Sequence, residues 1–125
     1  MKANELRIGN LVSAIHPRYH EKEIVVESIS GTDSINVDFR SYSLDEIEPI
    51  PLTEDWLLKF GFNKDAPYYL KHPLIVGLLA NEKDVNYCES EDSEDVLQLS
   101  KVELKYVHQL QNLYFALAGK ELSIE

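Results

Sequence analysis

The sequence predicts an α+β protein in which a cluster of strands precedes a short helix, an antiparallel meander and a long carboxy-terminal helix. Two observations predict the strands: residues 24–29 are rich in β-branched side chains, and Ile35, Val37 and Phe39 alternate with polar residues. A third observation predicts the helices, because capping residues and glycines flank apolar segments near residues 53–61 and 100–119. The chain has 125 residues, the usual size of one domain.

Residues 1–50 are expected to form an SH3-like small β-barrel or bent sheet. Turn-forming residues at 31–34 and several short apolar stretches indicate brief strands joined by tight connections. Residues 16–20, which include Pro17, are expected to form the loop between the first two strands. We expect residues 51–125 to add the helix, the meander and the terminal helix, and to share one core with this strand cluster.

The short helix is predicted over about residues 54–60. Pro49 and Pro51 end the preceding sheet, Thr53 is a favourable N-cap, and Gly61 occupies the C′ position. Phe62 is expected to fold back on the helix, the apolar contact that accompanies such a C-terminus. The aromatic and apolar residues here are therefore assigned to the core: Trp56, Leu57, Phe60 and Phe62.

Residues 63–99 are expected to form the antiparallel meander. Candidate strands lie at 67–70, 74–80, 85–88 and 96–99, with turns at 81–84 and 89–95. The apolar run at 74–80 fits either a strand or a short buried helix. We favour the strand, because Pro73 and Gly77 both weaken a helix of that length.

The terminal helix contains the segment HQLQNLYF, residues 108–115. Ser100 and Glu103 have the spacing of a capping box, the helix is expected to reach about Ala118, and Gly119 is its C-cap. A short edge strand is expected at 121–124. At ~100° per residue, one apolar stripe centred on Leu110 is expected to face the core. Its other members are Val102, Tyr106, Val107, Leu113, Tyr114, Leu117 and Ala118.

A second stripe lies near the opposite side of this helix and is the candidate partner-binding site. Leu and Phe would not usually share a purely solvent-facing line with a histidine and an amide, so we expect something to cover it. Three interpretations stay open: the strands of the same chain cover it, a second copy does, or a different protein does. The stripe consists of Leu104, His108, Gln111 and Phe115.

The composition restricts the classes of partner. Asp and Glu number 22 against 12 Lys and Arg, giving a formal net charge of −10. This charge disfavours binding to nucleic acid and to anionic membranes, whose phosphates require a basic surface. The amino terminus lacks the apolar segment of a signal peptide, no run approaches a membrane span, and the single cysteine forms no intrachain disulfide. We therefore predict a cytoplasmic protein.

No catalytic or metal-binding motif is present. His16 and His20 form an HxxxH pair, but Pro17 places them in a loop and no further ligands complete a zinc site. The five carboxylates of residues 89–95 lack the glycine and spacing of an EF-hand loop. Cys88 has no sequence context that would pair it with His72 or His108. We predict no cofactor, no metal and no enzymatic activity.

Three blocks of the sequence resemble a family of small uncharacterised proteins common in Bacteroidetes of the gut and often linked to prophage or other mobile elements. The blocks are ANELRIGNLV near the start, IEPIPLTEDWLLKFGF at 47–62 and KYVHQLQNLYFALAGKELSI at 105–124. The resemblance implies a bacterial cytoplasmic protein in a mobile-element setting. It assigns no activity, cofactor or functional residue.

These observations favour a non-enzymatic interaction or adaptor protein of mobile-element origin, whose partner is another protein or a second copy of itself. The alternative is an acidic protein that mimics nucleic acid and inhibits a DNA-binding protein, because runs of carboxylates resemble a phosphate backbone. A third interpretation, a small hydrolase, requires a pocket that holds His72 or His108 beside a carboxylate or Cys88.

Overall fold

The computed structural model describes residues 5–16, 19–30, 34–37, 40–65, 68–78, 83–88, 96–98, 104–122 and 124. The chain divides into two compact units. The first comprises Met1–Pro51 with Tyr106–Asn112, and the second comprises Leu52–Lys105 with Leu113–Glu125. The described sheets are antiparallel and are accompanied by two α-helices, which confirms the α+β class. Residues 106–112 belong to the first unit.

The described strands of the first unit form two three-stranded antiparallel sheets. They are β1 Leu11–His16, β2 Tyr19–Val25, β3 Ser28–Ser30, β4 Ser34–Val37, β5 Arg40–Ser43 and β6 Ile47–Pro49. The sheet orders are β2-β1-β6 and β3-β4-β5. The described strands are not closed into a barrel, because no strand of the β2-β1-β6 sheet pairs with a strand of the β3-β4-β5 sheet.

The connection between β1 and β2 is shorter than the loop predicted at residues 16–20. His16 pairs with Tyr19 and Ile15 pairs with His20, so both histidines lie in strands. The prediction that the two histidines lie in a loop is therefore wrong, because the pairing of β1 with β2 extends to His16 and Tyr19. Residues 17–18 lie outside the described residues.

A 3-10 helix, Leu44–Glu46, joins β5 to β6 and was missed by the sequence analysis. Its capping box is complete: Asp45 N donates to Ser43 Oγ over 3.3 Å, and Ser43 N donates to Glu46 Oε1 over 3.1 Å. The strands around it bury an apolar core formed by Leu6, Val12, Ala14, Ile24, Val26, Ile35, Tyr42, Leu44 and Ile47.

The second unit contains a short helix and a five-stranded antiparallel meander. The helix is α1 Glu54–Lys59, and the strands are β7 Asn63–Asp65, β8 Tyr68–Lys71, β9 Leu74–Leu78, β10 Lys83–Cys88 and β11 Val96–Gln98. Their order is β11-β10-β9-β8-β7. Residues 74–78 are thus a strand, as favoured from Pro73 and Gly77. The turn expected at 89–95 lies outside the described residues.

The end of α1 has the expected geometry. Gly61 has a φ of 83°, a left-handed conformation that favours glycine. Phe62 N donates to Leu57 O and Gly61 N to Leu58 O, each over 3.0 Å, which is the hydrogen-bond pattern of a Schellman motif. Thr53 has the extended backbone of an N-cap, but its side chain makes no capping hydrogen bond. The four predicted core residues are buried: Trp56, Leu57, Phe60 and Phe62.

The terminal helix, α2 Val107–Ala118, is shorter than predicted. Residues 104–106 are not helical, and Ser100 and Glu103 lie outside the described residues. The C-terminus is as expected, with Gly119 at a φ of 74° and Gly119 N donating to Phe115 O over 2.9 Å. The edge strand expected at 121–124 is absent at the described positions 121, 122 and 124. No helix in the described part of the chain is long and apolar enough to span a membrane.

Adjacent leucines of α1 provide a test of this packing. Leu57 is 0% exposed, whereas Leu58 is 45% exposed. We expect Leu57→Ala to lower the free energy of unfolding by about 2–5 kcal/mol, because it removes buried methyl groups and leaves a cavity. Leu58→Ala is expected to change it by less than about 0.5 kcal/mol. Urea denaturation measures both, and equal losses would contradict the burial of only one face of α1.

Candidate functional site

The structure separates the four residues of the predicted stripe. Leu104, His108 and Gln111 are only 3%, 3% and 2% exposed, whereas Phe115 is 41% exposed. Leu104 precedes α2 and is not helical, so the four residues do not form one line on a helix. Leu104, His108 and Gln111 therefore have almost no exposed surface with which to contact a partner. Their burial supports the interpretation that the same chain covers these three residues. For Phe115, partner binding stays a prediction.

The core-facing stripe centred on Leu110 is buried only as far as Tyr114. Val107, Leu110 and Tyr114 are buried, but Leu117 is 36% exposed. Two neighbouring faces of the helix are buried before residue 112, and little of it is buried after Tyr114. The expectation that Leu117 faces the core is therefore wrong, because the last turn of the helix is largely solvated.

The first turn of α2 is held by the main chain and by one amide. Val107 N donates to Ile50 O over 2.8 Å, and Tyr106 forms a β-bridge with Pro51. Gln109 Oε1 accepts a hydrogen bond from Tyr106 N over 3.1 Å. This is one half of a capping box, with Gln109 at the N3 position. The helix starts here because these acceptors satisfy N–H groups that a helix N-terminus leaves unpaired.

Gln111 attaches the next turn of α2 to the amino-terminal segment. Its Oε1 accepts a hydrogen bond from Leu11 N over 2.8 Å, and its Nε2 donates to Gly9 O over 3.1 Å. A single carboxamide thus satisfies a donor and an acceptor of the main chain where β1 begins. It pairs with the backbone much as another strand would.

Asn10 and Asn112 extend this contact. Asn10 Nδ2 donates to Asn112 Oδ1 over 2.8 Å, and Asn112 Nδ2 donates to Glu5 O over 3.0 Å. Asn10 Oδ1 also accepts from Arg7 N over 2.6 Å and so braces a turn in which Gly9 has a φ of 98°. We call Asn10, Gln111 and Asn112 the amide clamp.

The amide clamp uses the carboxamides of Gln111 and Asn112 for folding rather than for chemistry. Asn10 and Gln111 are 0% and 2% exposed, and the oxygen and nitrogen of each carboxamide in the clamp are hydrogen-bonded within the chain. Carboxamides do not titrate, and buried polar groups of this kind are stable only when they are fully hydrogen-bonded. Partner binding by Gln111 stays a prediction from the sequence, and in the structure its carboxamide bonds the main chain of the same unit.

His108 lies one turn before the end of the clamp and is chemically different. Its ring stacks on that of Tyr106, with centroids 5.9 Å apart and planes inclined by 10°. Burial lowers the pKa of His108, and the carboxylate of Glu5 opposes that shift. In the described part of the chain, His108 Nδ1 has no hydrogen-bond partner, and neither does the buried Tyr42 Oη.

The hydrolase interpretation requires a nucleophile or an acid beside a histidine. A pocket of about 250 Å³ lies next to His72, lined by Asn63 and residues 70–75. No carboxylate or thiol is among these lining residues, and Lys71 Nζ donates to Phe60 O over 2.5 Å. The side chain of Cys88 lies outside those described, so its distance from His72 or His108 is not defined.

Metal binding has no geometric support in the described residues. No group of three or more His, Cys, Asp or Glu side chains there is arranged to hold an ion. The side chains of the HxxxH pair and the carboxylates of residues 89–95 lie outside the described set. The expectation of no metal site stays a prediction.

Comparison of the chain with protein-family models, with curated proteins and with solved structures finds no match. Membership of the Bacteroidetes family therefore stays a prediction based on three blocks of sequence. In the structure those blocks meet: the amide clamp joins the first to the third, and the hydrogen bond from Val107 N to Ile50 O joins the second to the third.

The amide clamp is tested by an isosteric change. We expect Gln111→Met to lower the free energy of unfolding by roughly 2–4 kcal/mol, because it leaves the buried Leu11 N–H and the Gly9 carbonyl without partners. Gln109→Met removes one helix-terminal bond at a partly exposed position and is expected to cost about 1 kcal/mol or less. Urea denaturation measures the free energy of unfolding of both variants. A Gln111→Met protein as stable as the wild type would rule out a structural role for the amide clamp.

Proposed function

We propose that the protein is a non-enzymatic interaction or adaptor protein of mobile-element origin that binds another protein. One observation carries the proposal: large apolar side chains are exposed at the carboxyl end of α2, where Phe115 is 41% and Leu117 is 36% exposed. Association with a partner would remove this apolar surface from water. Phe115 is the exposed member of the predicted stripe. We therefore propose that residues 115–117 form the binding surface.

Residues 115–117 are all exposed. Because they follow one another along the helix, the last turns of α2 present apolar surface on more than one side. Successive helical residues are rotated by about 100°, which separates Phe115 from Leu117 by about 160° around the axis. A partner that covers both side chains must therefore wrap around the helix end. A groove or a cluster of helices is suited to this, and a flat surface is not.

The charge of the protein indicates the chemistry of that partner. With a net charge of −10, the protein repels acidic surfaces at long range and attracts basic ones. A basic protein with an apolar groove is the partner that both features favour. The same field makes nucleic acid an unfavourable ligand.

The first unit supports an interaction role in a second way. Its strands form the antiparallel sheets β2-β1-β6 and β3-β4-β5, residues 19–30 supply both β2 and β3, and a 3-10 helix precedes the last strand, β6. We propose that this is an SH3-like arrangement. Folds of this type serve many binding functions, so the fold alone does not select a ligand.

A second candidate, an acidic mimic of nucleic acid, is supported by the excess of carboxylates. Its most suitable element is the acidic run at residues 89–95, which lies outside the described residues. Competition with DNA for a DNA-binding enzyme distinguishes this candidate from binding through α2. The mobile-element origin is supported by the sequence resemblance alone, and the genes adjacent to its own gene test it.

A charge placed at the end of α2 tests the leading proposal. We expect Phe115→Glu to weaken partner binding, or association with a second copy, by at least about tenfold, because it puts a carboxylate into an apolar contact. Leu58→Glu is the matched control, since Leu58 is a similarly exposed apolar residue on the other helix. Light scattering measures self-association, and cross-linking in a host lysate compares the captured proteins.

The proposal fails if the wild-type protein is monomeric and Phe115→Glu captures the same proteins as wild type. Circular dichroism of both variants checks that the fold persists. Loss of the same captured protein in Phe115→Glu and in Leu58→Glu would also contradict a surface confined to α2.

A further inference from the structure

His108 is a titratable side chain inside the first unit that the amide clamp leaves unused. It is the second residue of α2, is 3% exposed, and its Nδ1 has no hydrogen-bond partner among the described residues. A neutral imidazole is compatible with this position. Its aromatic face is covered by Tyr106, and the neutral ring carries no charge to solvate.

A proton on this ring would be unfavourable for three separate reasons. The charge would lie in an interior position with almost no contact with water. In the charged ring both nitrogens carry a proton, and the N–H at Nδ1 would have no acceptor in the described part of the chain. The charge would also lie in the first turn of α2, where the helix dipole already presents a positive end.

The charged groups around His108 do not offset these costs. Glu5 is the group that attracts the protonated ring, but it is an exposed residue whose field is screened by solvent and salt. The guanidinium of Arg7 lies on the same segment and donates to Asn112 Oδ1 over 3.3 Å, one turn along α2. It adds positive charge on that side.

We propose that His108 is an acid-sensitive latch, whose protonation releases Tyr106–Asn112 from the amino-terminal segment at residues 5–11 before the whole chain unfolds. The release is local because the bonds that hold this segment lie within the first unit. They include the hydrogen bonds of the amide clamp, such as that from Leu11 N to Gln111 Oε1, and the hydrogen bond from Val107 N to Ile50 O. The latch is independent of the proposed function, since it concerns how the chain opens and not what it binds.

The direction of the pH effect follows from the lowered pKa of His108. The neutral ring is the form that the folded state favours, so the full stability of the latch is present above the unfolded-state pKa of about 6.5. That stability is lost as the pH falls from 6.5 towards the pKa of the folded state. One linked proton increases the opening equilibrium by at most about tenfold per pH unit in this window.

Amide hydrogen exchange of the complete protein tests the latch. After correction for intrinsic exchange rates, we expect protection of the Leu11 and Val107 amides to fall by up to about tenfold between pH 7.5 and 5.5. The Phe60 and Phe62 amides, which are hydrogen-bonded at the end of α1, are expected to keep their protection. His72→Gln is the matched control, because His72 is exposed, and it is expected to retain the wild-type pH dependence.

His108→Phe keeps an aromatic ring beside Tyr106 and cannot be protonated, so we expect it to abolish the pH dependence. If this variant does not fold, NMR titration of His108 in the wild-type protein decides instead. A His108 pKa at or above 6.5 overturns the proposal. So do a uniform loss of protection over both units and an unchanged pH dependence in a folded His108→Phe protein.

Discussion

The structure of the first unit depends on one constraint: the start of α2 must attach to a backbone segment about 100 residues earlier in the chain. Gln111 makes that attachment by bonding both Leu11 N and Gly9 O. Without Gln111, the Leu11 N–H and the Gly9 carbonyl at the beginning of β1 would lose these hydrogen-bond partners. An unpaired buried polar group costs about 1–3 kcal/mol, a large part of the net stability of a small domain. The position of the helix, the turn at Gly9 and the entry into β1 are therefore coupled.

Carboxamides suit this role better than apolar or charged side chains. An apolar residue at position 111 would leave the main chain unsatisfied, and a carboxylate would face the Gly9 carbonyl with a like partial charge. The amide network also selects one rotation of α2, because turning the helix by one residue would separate Gln111 and Asn112 from their partners. His108 shares this enclosed position but not its hydrogen bonding, so the segment that fixes the helix also carries a histidine whose pKa is lowered by burial.

The sequence predicted what local chemistry determines and missed what depends on distant contacts. The Schellman end of α1 followed from Gly61 and Phe62, and the strand at 74–78 followed from Pro73 and Gly77. The start of α2 was placed too early, because the acceptor for Val107 N belongs to Ile50, which no local pattern identifies. For the same reason the sequence left open whether the same chain, a second copy or a different protein covers the second stripe. The amides of Gln111 and Asn112 were a signal of a buried network, but the groups they bond, between Glu5 and Leu11, lie in the first block of the sequence.

A double-mutant cycle between Asn10 and Asn112 tests the central claim most directly. The side chains are joined by a 2.8 Å hydrogen bond across 102 positions of sequence. If HQLQN serves to dock the helix, Asn10→Ala and Asn112→Ala are coupled, and the interaction free energy from urea denaturation is about 1 kcal/mol. Additive effects, with a coupling indistinguishable from zero, would show that the two segments do not meet and would contradict the account.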